Sequence, residues 1–345
     1  MRDSPHIRGA FRWAVGLALA AGISAPAAEG PALTGRLSVE TPRTVLYERK
    51  RLAAVGDRVR LASYNLQDFT DGRGDGDLRT PDRAERQARN AAALLDEINP
   101  DLVVIQEVEN ERALRLLNDR CARPFPAAFI CRFAPGGDQD QKHNIALLSR
   151  LPVTGLRELD FGRLEGDARP PRGALSLVVE LGEGHRLLVY GVHLKSNYGD
   201  RDKNVAKRWY ALDIVAHDAD RIRSKYPECE WEIVVAGDMN VDPESPGFAG
   251  DKSLEPLAGW LDLWQDRPLE QRITLPTRRG DPAAEFDPVT FDRFHASTEL
   301  RQAPWIADLP QVLQKGCDTG HVQTAGGEND LHVSDHYPVW VDILR

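Results

Sequence analysis

The chain has 345 residues and a formal net charge of −9 at pH 7, with 41% hydrophobic and 28% charged residues. This apolar content suffices for one large folded domain or two small ones, and it excludes a disordered or fibrous chain. Because the chain is acidic, general positive charge cannot be its means of binding a polyanion. A phosphate substrate would therefore have to meet a local basic patch or a bound cation.

The N-terminal segment differs in composition from the rest of the chain. Three arginines flank or precede an apolar run over residues 13–23, and small residues follow at 24–28. This layout predicts a secretory signal peptide over residues 1–27; an uncleaved membrane anchor, the alternative, would need about 20 apolar residues. We therefore expect an exported protein, periplasmic or secreted. Removal of the segment would change the formal charge from −9 to −11.

Residues 28–57 show no clear periodicity and are interpreted as an N-terminal extension that leads into one domain over residues 58–345. From there, apolar periodicity predicts strands and helices. The predicted strands cover residues 59–66, 102–106, 145–148, 174–181, 187–194, 233–236, 289–294 and 337–344, and the predicted helices cover residues 82–98, 110–120 and 203–223. A β-α-β opening followed by runs of strands indicates an α/β fold in which sheets pack together under helices.

Four cysteines fit an oxidising compartment. Cys121 and Cys131 are separated by nine residues that include prolines, and we expect them to form a disulfide bond. Cys229 and Cys317 could form a second bond, although sequence does not show whether their Cα atoms come within disulfide distance. Neither pair has the spacing of a zinc site.

Two polar residues follow the apolar run 233–236. Asp238 and Asn240 are two positions apart, so an extended backbone would turn both side chains to the same side. A carboxylate and a carboxamide placed together can orient a water molecule or a phosphate oxygen. The alternative interpretation is a solvated turn, in which Asp-x-Asn is common.

Glu107 and Asn65 also come at the ends of predicted strands, where ligands bind in α/β folds. An ionised glutamate there is costly unless it is paired or bound to metal, so a hard divalent cation is a reasonable partner. The alternative for Glu107 is an acid at a helix N-terminus, stabilised by the helix dipole. Asn65 has the same ambiguity.

Two histidines and two further carboxylates complete the candidate set. His193 follows an apolar run, and a lone histidine in that place is more often structural than catalytic. Asp292 interrupts an aromatic strand pattern and needs a cationic or hydrogen-bonding partner. Asp335 and His336 stand side by side in the run Ser-Asp-His-Tyr-Pro-Val, just before the last predicted strand. This pairing indicates metal-assisted phosphate chemistry.

Two charged segments remain. Residues 71–77 read DGRGDGD but lack EF-hand spacing, since the twelfth position counted from Asp75 is Arg86. An acidic loop is favoured there, with a structural Ca²⁺ ion as the alternative. A basic group follows His193 and could be either a patch for a nucleic acid backbone or a solvated helix face; its members are Lys195, Arg201, Lys203, Lys207 and Arg208.

The sequence has no Walker A loop, G-x-S-x-G elbow or H-E-x-x-H pair, which removes the commonest rival classes of hydrolase.

In order and sequence context, the candidate residues resemble the endonuclease/exonuclease/phosphatase superfamily. The residues that carry the resemblance are Asn65, Gln106, Glu107, His193, Asp238, Asn240, Asp292, Asp335 and His336. The resemblance covers residues 59–345 and is sharpest in the segments PDLVVIQEV, at 100–108, and SDHYPV, at 334–339. It implies a deoxyribonuclease I-like four-layer sandwich, in which two β-sheets pack face to face between helices and the active site lies at one rim.

The resemblance also implies roles for these residues. It places metal ligands at Asn65, Glu107 and Asp335, for Mg²⁺ or Mn²⁺. It further implies that Asp238 and Asn240 orient the attacking water and the phosphate. The remaining implied roles are these: Asp292 holds His336, His193 is a second histidine of the nuclease branch, and Arg172 faces the substrate phosphate.

The chain departs from the deoxyribonuclease branch at one point. Where that branch has a glutamate that orients the histidine matched by His193, this chain reads Lys142-His143-Asn144. The partner of His193 and its protonation are therefore open at the level of sequence.

We accordingly expect an exported, metal-dependent phosphodiesterase, and foremost a nuclease that hydrolyses DNA or RNA by in-line attack of water on phosphorus. The alternative is a phosphatase or a sphingomyelinase-like phospholipid phosphodiesterase, because the same catalytic set serves these substrates; an inactive binding module is more remote. No protein partner is inferred, and a monomer is expected. Substrate preference should depend on the loops at 67–81, 135–143, 196–204 and 266–288.

Overall fold

A computed structural model of the protein describes residues 33–76, 79–132, 143–276, 287–317 and 331–345. The expected signal peptide lies outside these ranges. Among the described residues, no helix combines the length and the apolar character needed to cross a membrane.

The regular elements are numbered in chain order. The strands are β1 (Thr34–Gly35), β2 (Ser38–Glu40), β3 (Arg43–Tyr47), β4 (Arg58–Phe69), β5 (Leu102–Val108), β6 (Ala127–Ile130), β7 (Asn144–Ser149), β8 (Val153–Asp160), β9 (Leu164–Glu165), β10 (Ala174–Gly182), β11 (His185–His193), β12 (Glu230–Asp238), β13 (Leu261–Asp262), β14 (Asp292–Ala296), β15 (Ile306–Ala307), β16 (Gln311–Val312) and β17 (Val339–Leu344). The α-helices are α1 (Pro81–Ile98), α2 (Glu111–Arg120), α3 (Arg201–Lys225) and α4 (Leu269–Arg272).

Two large sheets contain most of these strands. Sheet I has the order β15-β17-β4-β5-β7-β6-β3, with β16 beside β17, and sheet II has the order β13-β14-β12-β11-β10-β8-β2. Each sheet contains a parallel pair, β4 with β5 in sheet I and β11 with β12 in sheet II. Parallel neighbours end at the same edge of a sheet, so each pair presents two strand ends together.

The side chains of each sheet alternate between two apolar layers, as the pleat of a strand requires. Leu61 of β4 belongs to the core between the sheets, whereas Tyr64 packs on the side of α1 and α2. In β11, Leu187 faces the core between the sheets and Leu188 faces α3. The layers are therefore α1 with α2, sheet I, sheet II and α3, which confirms the predicted four-layer α/β sandwich.

Capping residues explain where the long helices begin. The Thr80 side chain accepts a hydrogen bond from Arg83 N, and proline follows at the first position of α1. Asn110 caps α2 by accepting from two backbone amides, and Asp200 caps α3 by accepting from Lys203 N. These caps place each helix within two residues of its predicted start.

Two of the interpreted segments differ in the structure. The strand predicted at 289–294 begins only at Asp292, because Val289 pairs with Leu275 and the Phe291 amide donates to Thr274 Oγ1. The segment interpreted as an N-terminal extension contributes edge strands to both sheets, since β2 pairs with β8 and β3 pairs with β6. Short strands at sheet edges have weak sequence periodicity, which hides them in a sequence reading.

The expected Cys121–Cys131 disulfide is absent, and no disulfide joins Cys229 to Cys317. The Cys121 thiol lies in the layer between sheet I and its helices and donates to Leu117 O. Cys131 belongs to the core between the two sheets and contacts Asn144. The two thiols are thus on opposite faces of sheet I, so nearness in sequence does not bring them together.

Candidate active site

Strand pairing places three candidate side chains in one row. His193, at the end of β11, pairs with Asp238, at the end of β12. Asp238 in turn pairs with Asp292, the first residue of β14. Residues that face each other on neighbouring strands point to the same side of a sheet, so these three side chains emerge together at the rim.

Asn65, at the same rim of sheet I, joins the two sheets. Its Nδ2 donates to Glu107 Oε1 at 3.1 Å and to Asp238 Oδ2 at 3.0 Å. Ser334 Oγ donates to Asn65 O at 2.7 Å, which holds the segment carrying Asp335 against the end of β4. This buried carboxamide therefore sets the separation between a carboxylate of sheet I and one of sheet II.

The backbone at the site is left-handed at several non-glycine residues. The φ angles are 45° at Gln67, 56° at Asp68, 63° at Glu107 and 52° at Asn240. Such residues are uncommon, and they cluster where a fold must aim a side chain at a functional position. At Glu107 the turn directs the carboxylate back toward β4, where Oε2 accepts from Asp68 N at 2.7 Å.

Asp292 and His336 form the expected pair. His336 Nδ1 lies 2.7 Å from Asp292 Oδ2, and both side chains are buried. Burial opposes a charged imidazole, but the Asp292 carboxylate and its hydrogen bond outweigh this and raise the pKa of His336 well above its ordinary value. His336 is therefore a cation at neutral pH, with Nε2 lying 3.9 Å from Asp238 Oδ2 and 4.0 Å from Asp335 Oδ1.

Asp238 occupies the centre of the site. Burial raises its pKa to about 7; the His336 charge opposes this rise, and the Asp292 and Glu107 carboxylates add to it. Asp238 Oδ1 accepts from Asn240 N at 2.8 Å, and the Asn240 side chain donates to Leu194 O at 3.2 Å. A carboxyl group in this state can exchange a proton near neutral pH.

His193 differs from His336 in its partners. Its Nε2 lies 3.5 Å from Asp238 Oδ2 and 3.7 Å from Glu107 Oε1. Its Nδ1 is buried and has no hydrogen-bond partner among the described residues. Burial, together with the positive charge of Arg172, lowers the pKa of His193 well below its ordinary value. His193 is therefore a neutral imidazole at physiological pH.

His143 and Asp68 join the site, although the sequence patterns do not single them out as site residues. His143 Nε2 lies 2.6 Å from Asp68 Oδ1 and 3.6 Å from Glu107 Oε2, and its ring centroid is 6.1 Å from that of His193. Hydrogen bonds from His143 and Arg79 outweigh the burial of Asp68 and lower its pKa to about 2. In the sequence, the one sign that Asp68 could belong to the site is its position three residues after Asn65. The left-handed backbone at Gln67 and Asp68 is what turns the Asp68 carboxylate toward the rim.

The donor groups at the rim fit a hard divalent cation. Asp68, Glu107 and His143 each offer a ligand atom, and these atoms lie within 4.8 Å of one another. Burial is the main cause of the raised pKa of Asp238, and the Asp292 and Glu107 carboxylates add to it; a cation bound at the rim would offset the charge of these carboxylates. The carboxylate oxygens of Asp68 and Glu107 suit Mg²⁺ or Mn²⁺, whereas the ring nitrogen of His143 is a ligand that softer transition metals prefer. Asp335 is the most exposed member of the predicted ligand set, with 40% of its side chain accessible.

A second acidic group lies in the segment considered for Ca²⁺. Asp71, Asp75 and Glu109 bring their carboxylate oxygens within 4.8 Å of one another. Asp71 already accepts from Arg112 Nε at 2.5 Å and from Asn110 Nδ2 at 3.2 Å. Part of the negative charge is thus offset by the chain itself, and a structural Ca²⁺ ion there stays a prediction.

A cleft of about 640 Å³ opens beside the site, with His143 and Arg172 at its inner end. Arg172 is fixed by hydrogen bonds from its guanidinium to His193 O and Leu194 O, at 3.0 and 2.9 Å. Three predicted members of the basic group line the cleft, namely Lys195, Lys203 and Lys207. Arg208 is buried and bonded to Asp251, so its role is structural.

Residues 62–300 match the model of the Endonuclease/Exonuclease/phosphatase family. The chain belongs to this family. It is accordingly a hydrolase that acts on phosphoric esters, as the resemblance of the candidate residues predicts. No curated protein matches the chain.

Solved structures of the family share the fold. D. rerio TDP2 complexed with single strand DNA product is 17% identical with a TM-score of 0.56, covering 84% of this chain and 100% of that one. Sphingomyelinase C from Streptomyces griseocarneus is 18% identical with a TM-score of 0.57, covering 83% and 99%. The endonuclease/exonuclease/phosphatase from Beutenbergia cavernae is 15% identical with a TM-score of 0.55, covering 84% and 72%. These family members establish a deoxyribonuclease I-like sandwich for this chain.

Proposed function

We propose that the protein is a metal-dependent phosphodiesterase that cleaves nucleic acid outside the cytoplasm. The observation that carries the proposal is the charge of the cleft beside the active site. In a chain of net charge −9, its lining includes Arg172, Lys195, Lys203 and Lys207. A continuous polyanion needs a basic track next to the reacting phosphate, because each neutralised phosphate adds affinity through counterion release. The structural neighbour from D. rerio is complexed with single strand DNA, which agrees with this substrate class.

In this proposal Asn65, Glu107 and Asp335, the ligands that the resemblance implies, hold the divalent cation, and the Asp68 carboxylate lies near enough to Glu107 to join them. When bound, the cation polarises a phosphoryl oxygen and offsets the repulsion between the site carboxylates and the substrate. Asn65 positions Glu107 directly through the hydrogen bond from Nδ2. Asp68 N, donating to the other carboxylate oxygen of Glu107, fixes its orientation.

The remaining residues act on water and on the phosphate. Asp238 orients the attacking water and, with a pKa of about 7, can accept its proton at neutral pH. Asn240, fixed by Leu194 O, provides a carboxamide next to the reacting phosphate. The cationic His336 stabilises the negative charge that develops on the phosphoryl oxygens, and Asp292 keeps it charged and oriented.

His193 has a different role in this scheme. As a neutral imidazole between Asp238 and Glu107, it adds no charge to the site. Its Nε2 can exchange hydrogen bonds with the substrate or with the attacking water. Arg172 donates a hydrogen bond to His193 O at the C-terminal end of β11. Its positive charge faces the cleft and provides an electrostatic contact for phosphate.

A phospholipid phosphodiesterase is the second candidate, because a sphingomyelinase C shares the fold. The two candidates require different surfaces beside the site. A phospholipid carries one phosphate diester and needs few basic contacts, whereas Arg172, Lys195, Lys203 and Lys207 together line the cleft. The proposal therefore favours nucleic acid, and lipid turnover is an arm of the test.

The purified protein should be incubated with Mg²⁺ or Mn²⁺ and plasmid DNA, RNA, a chromogenic phosphate diester, a chromogenic monoester or sphingomyelin. We expect cleavage of nucleic acid and of the diester. EDTA should abolish both activities, and His336→Ala should lower kcat/KM by about a thousandfold. His217→Ala is the matched control, since His217 lies exposed on α3.

Rapid turnover of sphingomyelin or of the monoester without cleavage of nucleic acid would contradict the nuclease proposal. Activity that survives both EDTA and His336→Ala would contradict the mechanism as well. Binding of phosphate esters without turnover of any of them would indicate an inactive binding module.

A further inference from the structure

The basic cleft continues from the active site onto an ordered loop and a helix. It begins at His143 and Arg172, passes along residues 195–200, and reaches the first two turns of α3. Because Arg172 is bonded to the end of β11, the inner end of the cleft is continuous with the row that carries His193.

Positive charge dominates the cleft. Among the described residues that line it, Asp200 is the one carboxylate, and its Oδ1 caps α3 by accepting from Lys203 N at 2.9 Å. Lys203 Nζ lies 3.3 Å from Asp167 Oδ2, but both side chains are largely exposed. An exposed pair of this kind contributes little and is easily exchanged for a phosphate partner. The cleft can thus accept several phosphates in succession.

An aromatic ring stands within this basic surface. The Tyr198 residue is 84% exposed, while its carbonyl oxygen accepts from Lys195 Nζ at 3.0 Å and from Asn204 Nδ2 at 3.1 Å. A single exposed apolar side chain is ordinary on a protein surface. This one is distinguished by a backbone fixed by two donors and by the lysines on both sides of it. Because the backbone is already fixed, only the two side-chain torsions of the ring have to be ordered when a flat partner stacks on it.

We propose that this cleft binds the unpaired nucleotides that flank the scissile phosphate, with one base stacked on Tyr198 and the flanking phosphates at Lys203 and Lys207. The inference rests on the proposed nuclease function and specifies its substrate as a single-stranded polynucleotide. Aromatic rings interleaved with basic side chains are the general means of binding single strands without sequence preference. In a duplex, each base is already stacked and paired, so the Tyr198 ring has no free face to contact.

The first test compares Tyr198→Ala and Tyr198→Phe on a single-stranded oligonucleotide of about 12 nucleotides, within the range of strand lengths that such sites bind. We expect Tyr198→Ala to lower kcat/KM about tenfold, mainly through KM, because one stacked base is lost. Tyr198→Phe keeps the ring and should retain the wild-type value. On bis(p-nitrophenyl) phosphate, which has no flanking nucleotide, all three proteins should be equal.

The second test removes charge from the cleft. The double variant Lys203→Gln with Lys207→Gln should reduce the slope of log kcat/KM against log salt concentration by about 1.4, since each contact to a single-strand phosphate contributes about 0.7. The matched control is Lys50→Gln with Lys315→Gln, two exposed lysines outside the cleft. That control should keep the wild-type salt dependence. The small diester has no flanking phosphates, so the cleft variant should lose less activity on it than on the oligonucleotide.

Three outcomes would overturn the inference while leaving the nuclease proposal intact. They are wild-type kinetics of Tyr198→Ala on the oligonucleotide, equal losses on the oligonucleotide and the small diester, and equal wild-type rates on the single strand and on a duplex of the same sequence. If the wild-type protein cleaves the small diester but no nucleic acid, the proposed nuclease function itself is wrong.

Discussion

At the scale of single residues, two buried histidines in one site have opposite protonation states. His336 has a carboxylate 2.7 Å from Nδ1, which makes the charged form favourable despite burial. His193 has a buried Nδ1 with no hydrogen-bond partner among the described residues and positive neighbours, which makes the neutral form favourable. Burial acts equally on both rings, so the partner decides the difference.

The Asp292–His336 pair leads to a prediction for activity. Asp292→Asn removes the charge that keeps His336 protonated, and we expect kcat/KM for the chromogenic diester to fall by about a hundredfold or more. Steady-state kinetics at neutral pH measure this, with Asp220→Asn as a control because Asp220 is exposed on α3. An unchanged rate with an unchanged fold would show that the pair has no part in the reaction.

Glu158, in β8, leads to a prediction for stability. Burial raises its pKa to about 7; the Arg132 amide, 2.7 Å from Oε2, opposes this rise, and Asp160 adds to it. The folded state therefore holds a proton that the unfolded chain releases near its ordinary value of 4.5. The stabilisation is full below that value and is lost as pH rises toward about 7.

Glu158→Gln removes this ionisation. At about pH 8 we expect the variant to exceed the wild type in free energy of unfolding by up to about 3 kcal/mol, and the difference should shrink toward about pH 5. Urea unfolding at the two pH values measures it. A difference of the same size at both would mean that Glu158 does not titrate in the folded protein.

At the scale of elements, the active site depends on how closely two strands approach. Gly237 in β12 pairs with Val192 in β11, and its φ is +147°. A Cβ atom at this position would lie 1.9 Å from Val192 O. The atoms that this Cβ would meet belong to the Val192 backbone. The two strands would therefore have to move apart, and this would displace His193 or Asp238.

Gly237→Ala should therefore lower the free energy of unfolding by about 3 kcal/mol or more and reduce activity with it. Gly259→Ala is the matched control, because a Cβ atom there meets nothing within 4 Å, and its stability should stay within about 0.5 kcal/mol of the wild type. Chemical unfolding of the three proteins gives the comparison. Equal stabilities would show that β11 and β12 separate without cost.

Long elements with strong periodicity were within reach of the sequence. The predicted helix at 82–98 is observed at Pro81–Ile98, and the predicted strand at 174–181 at Ala174–Gly182. The edge strands before Arg58 cannot be predicted from the sequence, because two to five residues carry too little periodicity to indicate a strand. β8 was missed as well, since Arg157 and Glu158 interrupt its apolar pattern and are compensated only by distant partners.

At the scale of the whole molecule, binding of a cation should stabilise the fold. The rim collects carboxylates from both sheets, so an ion bound there links the two halves of the sandwich. At a cation concentration of about 100 times Kd, the gain is about 2.7 kcal/mol, which raises Tm by about 4 to 5 °C in a domain of this size.

A thermal scan with Mg²⁺ or Mn²⁺, and again after EDTA, tests this without reference to activity. Glu107→Gln should abolish most of the rise in Tm. The exposed Glu165→Gln should keep it. An equal rise in Glu107→Gln would place the responsible ion elsewhere, and the Asp71, Asp75 and Glu109 group would be the next position to test.

The sequence by itself determined the fold class and the candidate residues, because strand ends, apolar runs and the Ser-Asp-His-Tyr-Pro-Val segment are local patterns. Tertiary structure alone decided the partners. Asp68 meets His143 across 75 positions of sequence, and Arg208 is buried with Asp251 instead of joining the basic surface. Cys121 and Cys131 lie on opposite faces of one sheet, although ten positions separate them. Periodicity reports which side of an element a residue occupies, whereas partners depend on how distant elements pack, and that information is not local.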